Sequence, residues 1–240
     1  MLKKFGKFII GIFLIPACIG FSKGYITLIS SLKSLSQNQL YFIYGLISYL
    51  IVHIIFRKPL SIYVFGHELT HAFWTKIFGG DVKDMKVSGE GGEVKISKSN
   101  FFISLAPYFF PIYTLIILII FGILSLVLNN YAQYINYFLF LLGLTLSFHI
   151  LLTIEMIRTD QPDIKENGFI FSVSLIYFIN LVIISALSNL IFIKEYSFLS
   201  YIQKSASESQ KLYIYIYYYC INNGTKVFNY LKDLKTIYSA

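Results

Sequence analysis

Long apolar segments alternate with short polar ones along most of the chain. Six of them are long enough to be membrane helices, and they cover residues 8–32, 40–56, 60–79, 101–128, 131–157 and 168–193. A bilayer core about 30 Å thick is crossed by about 20 helical residues. The pattern therefore predicts an all-α polytopic membrane protein with about six transmembrane helices, surrounded by a lipid bilayer.

Two of these segments carry residues that interrupt or bend a helix. The first contains Ser22, Lys23 and Gly24, which predict either a kinked helix or a helix followed by a re-entrant piece. The fourth contains Pro107 and Pro111, and prolines inside a helix predict a bend.

Two polar regions lie between and after the apolar segments. In residues 80–100, alternating apolar residues flank a glycine-rich turn at 89–92, which predicts a short β-hairpin. In the tail, 205–210 is polar and linker-like, and the later lysines among aromatic residues favour a helix at the membrane surface: Lys226, Lys232 and Lys235. The predicted division is N-terminal membrane helices over 1–58, a membrane core over 59–193, and this tail over 194–240.

Composition and charge agree with a membrane protein. Hydrophobic residues make up 56% of the chain and charged residues only 13%, against about 25% in soluble domains. The net charge of +8 comes partly from basic residues that lie at the ends of apolar segments, where residues that set membrane topology are found: Lys3, Lys4, Lys7, Arg57, Lys58 and Lys194. We therefore predict no nucleic-acid partner and an integral, multi-pass location in the cell membrane. The two cysteines, Cys18 and Cys220, indicate no disulfide framework.

The third apolar segment contains the sequence His67-Glu68-Leu69-Thr70-His71. Two histidines four positions apart share one face of a helix, so both imidazoles can bind one metal ion. Glu68 lies beside them and can take a proton from a water that zinc activates. Ionisable side chains are costly in a membrane, which favours a functional role for all three. The motif predicts Zn²⁺ ligands at His67 and His71 and a catalytic base at Glu68.

A catalytic zinc ion takes a third protein ligand. The extended motif His-Glu-x-x-His-x-x-Gly-x-x-His would supply a third histidine. It is absent here, because position 74 is Trp and position 77 is Ile. His149 lies inside an apolar segment, where it is a candidate ligand or partner of a ligand. The other candidates are carboxylates after the motif: Glu90, Glu93, Glu155, Asp160 and Asp163.

With these residues the chain resembles the site-2 protease family of intramembrane zinc peptidases. In that family, an aspartate about ninety residues after the motif binds zinc at the start of another helix. Asp160 and Asp163 lie at that offset, and Asp163 is preferred because it follows Pro162, which suits a first helical position. The family's Leu-Asp-Gly is missing, and segment 131–157 adds a membrane passage. The resemblance implies a metalloendopeptidase that cleaves membrane-spanning or membrane-proximal proteins and holds them extended at the hairpin.

Two alternatives stay open. The chain also resembles the CAAX-processing membrane proteases, which would make Glu155 the third ligand. In those proteases an aspartate follows the glutamate four residues later, whereas Asp160 here follows five later. The other alternative is a non-catalytic metal-binding membrane protein. Glu68 argues against it, because a structural metal site would need only the histidines.

Overall fold

A computed structural model describes residues 2–32, 34–56, 58–88, 91–192 and 197–237 of the chain. Side chains are described within these ranges from residue 4 to residue 226. Several residues named above lie outside the described residues or have undescribed side chains: Lys3, Arg57, Gly89, Glu90, Lys194, Lys232 and Lys235.

The described part of the chain is mostly helical and contains one small sheet. The helices in chain order are α1 (Leu2–Ser30), α2 (Gln37–Ile55), α3 (Leu60–Ile77), α4 (Phe101–Phe109), α5 (Ile112–Val127), α6 (Ile135–Arg158), α7 (Pro162–Asn167), α8 (Phe169–Ile191) and α9 (Phe198–Ile237). A short 3₁₀ turn, Tyr131–Tyr134, precedes α6. Strands β1 (Val82–Val87) and β2 (Gly92–Ile96) lie between α3 and α4 and pair antiparallel, so the predicted hairpin is confirmed.

Four helices are long and apolar enough to cross a membrane: Lys4–Ser30, Gln37–Ile55, Tyr131–Arg158 and Phe169–Ile191. The bent pair α4 and α5 would be a fifth if it forms one span. Large apolar side chains on such helices are open to the surroundings, with Ile54 73% and Leu126 88% exposed, as expected of residues that face lipid. The fold therefore has four or five candidate membrane spans among the described residues. The number of about six stays a prediction, since α3, with its polar motif, is not among them.

The predicted bend in the fourth apolar segment is confirmed. The axes of α4 and α5 meet at 72°, and the break lies at Phe110 and Pro111. Pro111 has no backbone N–H to continue the hydrogen bonds of α4, so the chain starts a new helix there. The side chain of Asn100 caps the other end of α4 by accepting hydrogen bonds from two backbone amides, those of Phe102 and Ile103, both at 2.9 Å.

One prediction is wrong, and another is decided only in part. The helix α1 runs through Ser22, Lys23 and Gly24, so no re-entrant piece begins there, and the kink stays a prediction. The polar segment 205–210 is part of α9 rather than a linker. The reason is close packing: a Cβ atom at Gly24 would lie 2.1 Å from Ser205 Oγ, and one at Gly20 would lie 2.2 Å from Ser209 Oγ. Small residues let two helices approach this closely, which stabilises helix in a polar stretch. That α9 lies at the membrane surface stays a prediction.

The chain divides into two compact units. Each unit is built from two separate stretches of the chain, whereas the predicted division uses consecutive ranges. The first unit comprises Met1–Ile12 and Leu32–Asn180. The second comprises Phe13–Ser31 and Leu181–Ala240. The histidine motif, the hairpin and all described candidate ligands belong to the first unit.

A glycine crossing holds α2 against α6 in the first unit. A Cβ atom at Gly45 would lie 2.0 Å from the carbonyl oxygen of Phe140, and one at Gly143 would lie 2.1 Å from that of Phe42. Real Cβ atoms do not come so close to backbone atoms, so the two helices can pack at this distance only because both positions are glycine.

We expect Gly143→Ala to lower the free energy of unfolding by about 1–3 kcal/mol or more, because the new methyl group must push α2 and α6 apart. Denaturant unfolding of the purified protein in detergent measures this loss. The matched control is Gly122→Ala in α5, where a Cβ atom would meet nothing within 4 Å. Equal stability of the two variants would contradict the tight crossing.

Candidate metal centre

The two motif histidines lie one turn apart on α3, as their spacing predicts. Their Nε2 atoms are 3.2 Å apart, and both side chains are largely buried. Gly66, which precedes the motif, makes room for α5, because a Cβ atom there would lie 2.6 Å from the ring of Tyr113. The helix face with both imidazoles is thereby held against the neighbouring helices.

Asp163 reaches the same point from the short helix α7. Pro162 is the first residue of that helix, so Asp163 stands in its first turn, as the sequence predicts. Gly168 ends α7 with a φ of 90°, a conformation that suits glycine, and α8 begins directly after it. Asp163 Oδ2 lies 3.6 Å from His67 Nε2 and 3.6 Å from His71 Nε2.

These three atoms fit the dimensions of a metal site. In a tetrahedral zinc site with bonds of about 2.0–2.1 Å, neighbouring ligand atoms are about 3.3 Å apart. The observed separations of 3.2, 3.6 and 3.6 Å leave a point about 2.0 Å from all three atoms. His67, His71 and Asp163 thus form a group that could hold a metal ion. The geometry alone does not select the metal.

The orientation of His71 is fixed by α4. Its Nδ1 atom hydrogen-bonds to the backbone carbonyl oxygen of Ile103 at 2.9 Å, which leaves Nε2 for the metal. In an unbroken helix the Ile103 carbonyl would accept the amide four residues later, but that residue is Pro107, which has no N–H. Pro107 therefore frees the acceptor that His71 uses.

The other motif histidine borders a small cavity. His67 Nδ1 is buried and has no hydrogen-bond partner among the described residues, although metal-binding histidines usually donate from this second nitrogen. Beside it is a cavity of about 20 Å³, whose lining includes Thr70, Pro107 and His149. This is enough room for one water, which would give His67 the partner it lacks.

Hydroxyl groups on α4 bind the carboxylate of Asp163. Ser104 Oγ donates to Oδ1 and Tyr108 Oη donates to Oδ2, both at 3.3 Å. Burial would raise the pKa of Asp163, but the neighbouring imidazoles of His67 and His71 outweigh burial and hold that pKa below its ordinary value. The carboxylate is consequently ionised at neutral pH, which is the form that binds metals.

Glu68 lies under the hairpin. It is 8% exposed, and a Cβ atom at Gly92 would lie 2.7 Å from its Cγ, so only glycine allows β2 to pass this close. The same Cβ atom would lie 3.2 Å from Glu68 Oε1, so β2 passes directly beside the carboxylate. A carboxylate held this way next to the metal-binding group can exchange a proton with a bound water.

The other acidic candidates have different partners. Glu155 forms an ion pair with Lys58 and lies 3.8 Å from His53, and Asp160 pairs with Lys165. Glu93 is exposed on β2, and Glu90 lies outside the described residues. Among the described residues, the metal-binding group contains none of these acids.

His149, the remaining candidate ligand, has a hydrogen-bond partner on α8. His149 Nε2 is 3.3 Å from Asn180 Oδ1, and Asn180 in turn donates to the backbone carbonyl of Tyr108. His149 borders the same cavity as His67 but, among the described residues, is not part of the metal-binding group.

Sequence reasoning missed the residues that support the ligands. Ser104 and Tyr108 are four apart in an otherwise apolar helix, and Asn167 is four after Asp163, so each pair shares a helix face. Polar residues repeated at this spacing were a usable signal. The carbonyl of Ile103 was not detectable as an acceptor without the position of His71.

We expect Pro107→Ala to weaken zinc binding about 10-fold, since the new amide competes with His71 for the Ile103 carbonyl. Zinc affinity of the purified protein, measured by competition with a chelating dye, tests this. Pro16→Ala makes the same change inside α1, where no ligand depends on it, and should leave zinc affinity unchanged. A similar loss in both variants would argue against the role of Pro107.

We expect Asp163→Asn to reduce zinc retention far more than Asp160→Asn. The amide at 163 loses the charge that faces both Nε2 atoms, whereas Asp160 forms only an exposed ion pair with Lys165. Metal content after gel filtration gives the comparison. If the two variants retain equal zinc, or Asp160→Asn retains less, Asp163 is not the third ligand.

No protein-family model, curated protein or solved structure matches the chain.

Proposed function

We propose that this chain is a zinc-dependent endopeptidase that cleaves membrane-spanning or membrane-proximal proteins in the cell membrane. The single observation that carries the proposal is the convergence of His67 Nε2, His71 Nε2 and Asp163 Oδ2, with Glu68 beside the two histidines in the chain. The proposed activity is that of the site-2 proteases, which the chain resembles in its motif and in the offset of Asp163.

The donor set favours zinc and hydrolysis. Two imidazoles and one carboxylate are a common ligand set of catalytic zinc, and they leave a position open for water or substrate. The same set also suits Fe²⁺ in oxygenases. A buried glutamate directly after the first histidine favours hydrolysis, since a base is what peptide cleavage by water requires.

Each residue has a defined task in the proposed reaction. Zinc, when bound, supplies a Lewis acid that polarises the peptide carbonyl and makes water more acidic. Glu68 accepts the proton from the attacking water and delivers it to the leaving amine. The two histidines and Asp163 hold the ion, and Tyr108 and Ser104 hold Asp163.

The hairpin suits an extended peptide substrate. A helical segment hides its peptide bonds, whereas an added strand presents them in register with a sheet edge. Strand β2 lies beside Glu68, because a Cβ atom at Gly92 would lie 2.7 Å from Glu68 Cγ and 3.2 Å from its Oε1. A substrate strand along β2 would therefore bring a peptide bond towards the histidines.

The two alternative functions differ at specific residues. In a protease of the CAAX-processing type, Glu155 would bind the metal, but Glu155 is paired with Lys58. A non-catalytic metal-binding protein would use the histidines and Asp163 and have no need for Glu68. Replacement of Glu68 separates this second alternative from the proposal.

We expect Glu68→Gln to abolish cleavage while zinc affinity stays within a few-fold of the unmodified protein. Glutamine keeps the shape of the side chain and loses the base. The assay reconstitutes the full chain in vesicles with a membrane-anchored reporter peptide and measures zinc content in parallel.

The control for Glu68→Gln is Glu166→Gln, which removes an exposed carboxylate from α7 and should leave cleavage intact. Added chelator should stop cleavage by the unmodified chain, and added zinc should restore it. Undiminished cleavage by Glu68→Gln would overturn the proposed role of this residue.

A further inference from the structure

We infer that Asn167 is a positioning residue that sets the orientation of the Asp163 carboxylate, and that Lys7 of α1 holds Asn167 in place. The inference deepens the proposed function and rests on its metal centre. All four side chains involved, including Ser104, belong to the first compact unit.

Asn167 lies behind the metal-binding group at the end of α7. It is 3% exposed, and its Nδ2 group makes two hydrogen bonds. One goes to Ser104 Oγ at 2.9 Å, and the other goes to the backbone carbonyl of Asp163 at 2.8 Å. Both hydrogens of the amide are therefore used to connect α4 with the turn of helix that carries Asp163.

Lys7 decides which way the amide of Asn167 faces. Its Nζ donates to Asn167 Oδ1 at 2.7 Å, and a lysine ammonium group can only donate. If the amide were flipped, its own N–H groups would face the ammonium group. Lys7 thus keeps the oxygen on its own side and the Nδ2 group on the side of Ser104.

The fixed amide in turn directs the hydroxyl of Ser104. A serine hydroxyl has one hydrogen, and its oxygen here accepts from Asn167. The hydrogen is left for Asp163 Oδ1, which lies 3.3 Å away. The chain of hydrogen bonds therefore runs from Lys7 through Asn167 and Ser104 to the carboxylate.

The consequence is a carboxylate whose two oxygens have different roles. Oδ1 accepts from Ser104, whereas Oδ2 faces both histidine Nε2 atoms at 3.6 Å. A carboxylate free to rotate would present either oxygen, or both, to the ion. Groups that orient a metal ligand in this way typically change metal affinity by about 10–100-fold when they are removed.

In the sequence pattern, Lys7 is one of the basic residues at the ends of apolar segments that orient membrane helices. Its ammonium group also lies 5.9 Å from the centre of the Phe171 ring. Lys4, one turn earlier, is exposed and makes no described hydrogen bond or ion pair. The two lysines thus provide a matched pair for an experiment.

The experiment measures zinc affinity and the visible spectrum of the Co²⁺-loaded full chain in detergent. Asn167→Leu removes every hydrogen bond of the side chain at similar volume, and we expect zinc affinity to fall about 10–100-fold. At saturating Co²⁺ its absorption bands should shift, because the carboxylate binds differently. Destabilisation without a change at the metal would not move these bands.

Further variants test whether Lys7, Asn167 and Ser104 act on zinc affinity through one chain of hydrogen bonds. Ser104→Ala is a smaller change and should weaken zinc binding in the same way even if Asn167→Leu folds poorly. The double variant should lose about as much affinity as the worse single one, because both residues act through one carboxylate. Lys7→Met should show a smaller loss, whereas Lys4→Met and the α7 surface change Glu166→Gln should show none.

The outcomes separate this inference from the proposed function. If the unmodified chain binds zinc and cleaves its reporter while Asn167→Leu and Ser104→Ala bind as tightly with unchanged Co²⁺ spectra, only the positioning role is overturned. Additive losses in the double variant would also overturn it. If the unmodified chain binds neither zinc nor Co²⁺, the metal centre itself is overturned, and this inference with it.

Discussion

The metal-binding group depends on one constraint, which is the free-energy cost of leaving a buried polar atom of a ligand without a hydrogen-bond partner. Helix α4 supplies most of these partners. Its Ile103 carbonyl accepts from His71, and its Ser104 and Tyr108 hydroxyls donate to Asp163. Since α3 carries the histidines and α7 carries the aspartate, α4 is the element through which the two are brought to one point. A shift of α4 would disturb two of the three ligands together.

The bent pair α4 and α5 is therefore more than a break in a membrane helix. Pro111 ends α4, and the new direction of α5 allows its Tyr113 to pack on Gly66, next to the histidines. Pro107 lies inside α4 and produces no break, but it releases the carbonyl that His71 needs. Two prolines four residues apart thus have different effects, because one stands where the helix ends and the other stands opposite a ligand.

The features that could be predicted from the sequence are those that depend on residues close together in the chain. The spacing of His67 and His71 fixes their common face, Pro162 indicates the helix start beside Asp163, and the glycines after β1 indicate the hairpin. The remaining features depend on contacts between distant segments. Nothing local in 205–210 shows that its serines pack on α1, and nothing near Lys7 points to Asn167, because side chains so far apart in sequence meet only when the helices are packed.

Charge balance gives an independent reason to expect a cation at the three donor atoms. Among the described residues, Glu155 is paired with Lys58 and Asp160 with Lys165. Asp163, with a side chain only 25% exposed, has no lysine or arginine partner in the part of the chain that the structure describes, but two imidazoles and two hydroxyls. A poorly solvated carboxylate without a matching positive charge is unfavourable. A divalent cation held between it and the imidazoles supplies that charge and allows the histidines to remain neutral, the form in which they bind metals.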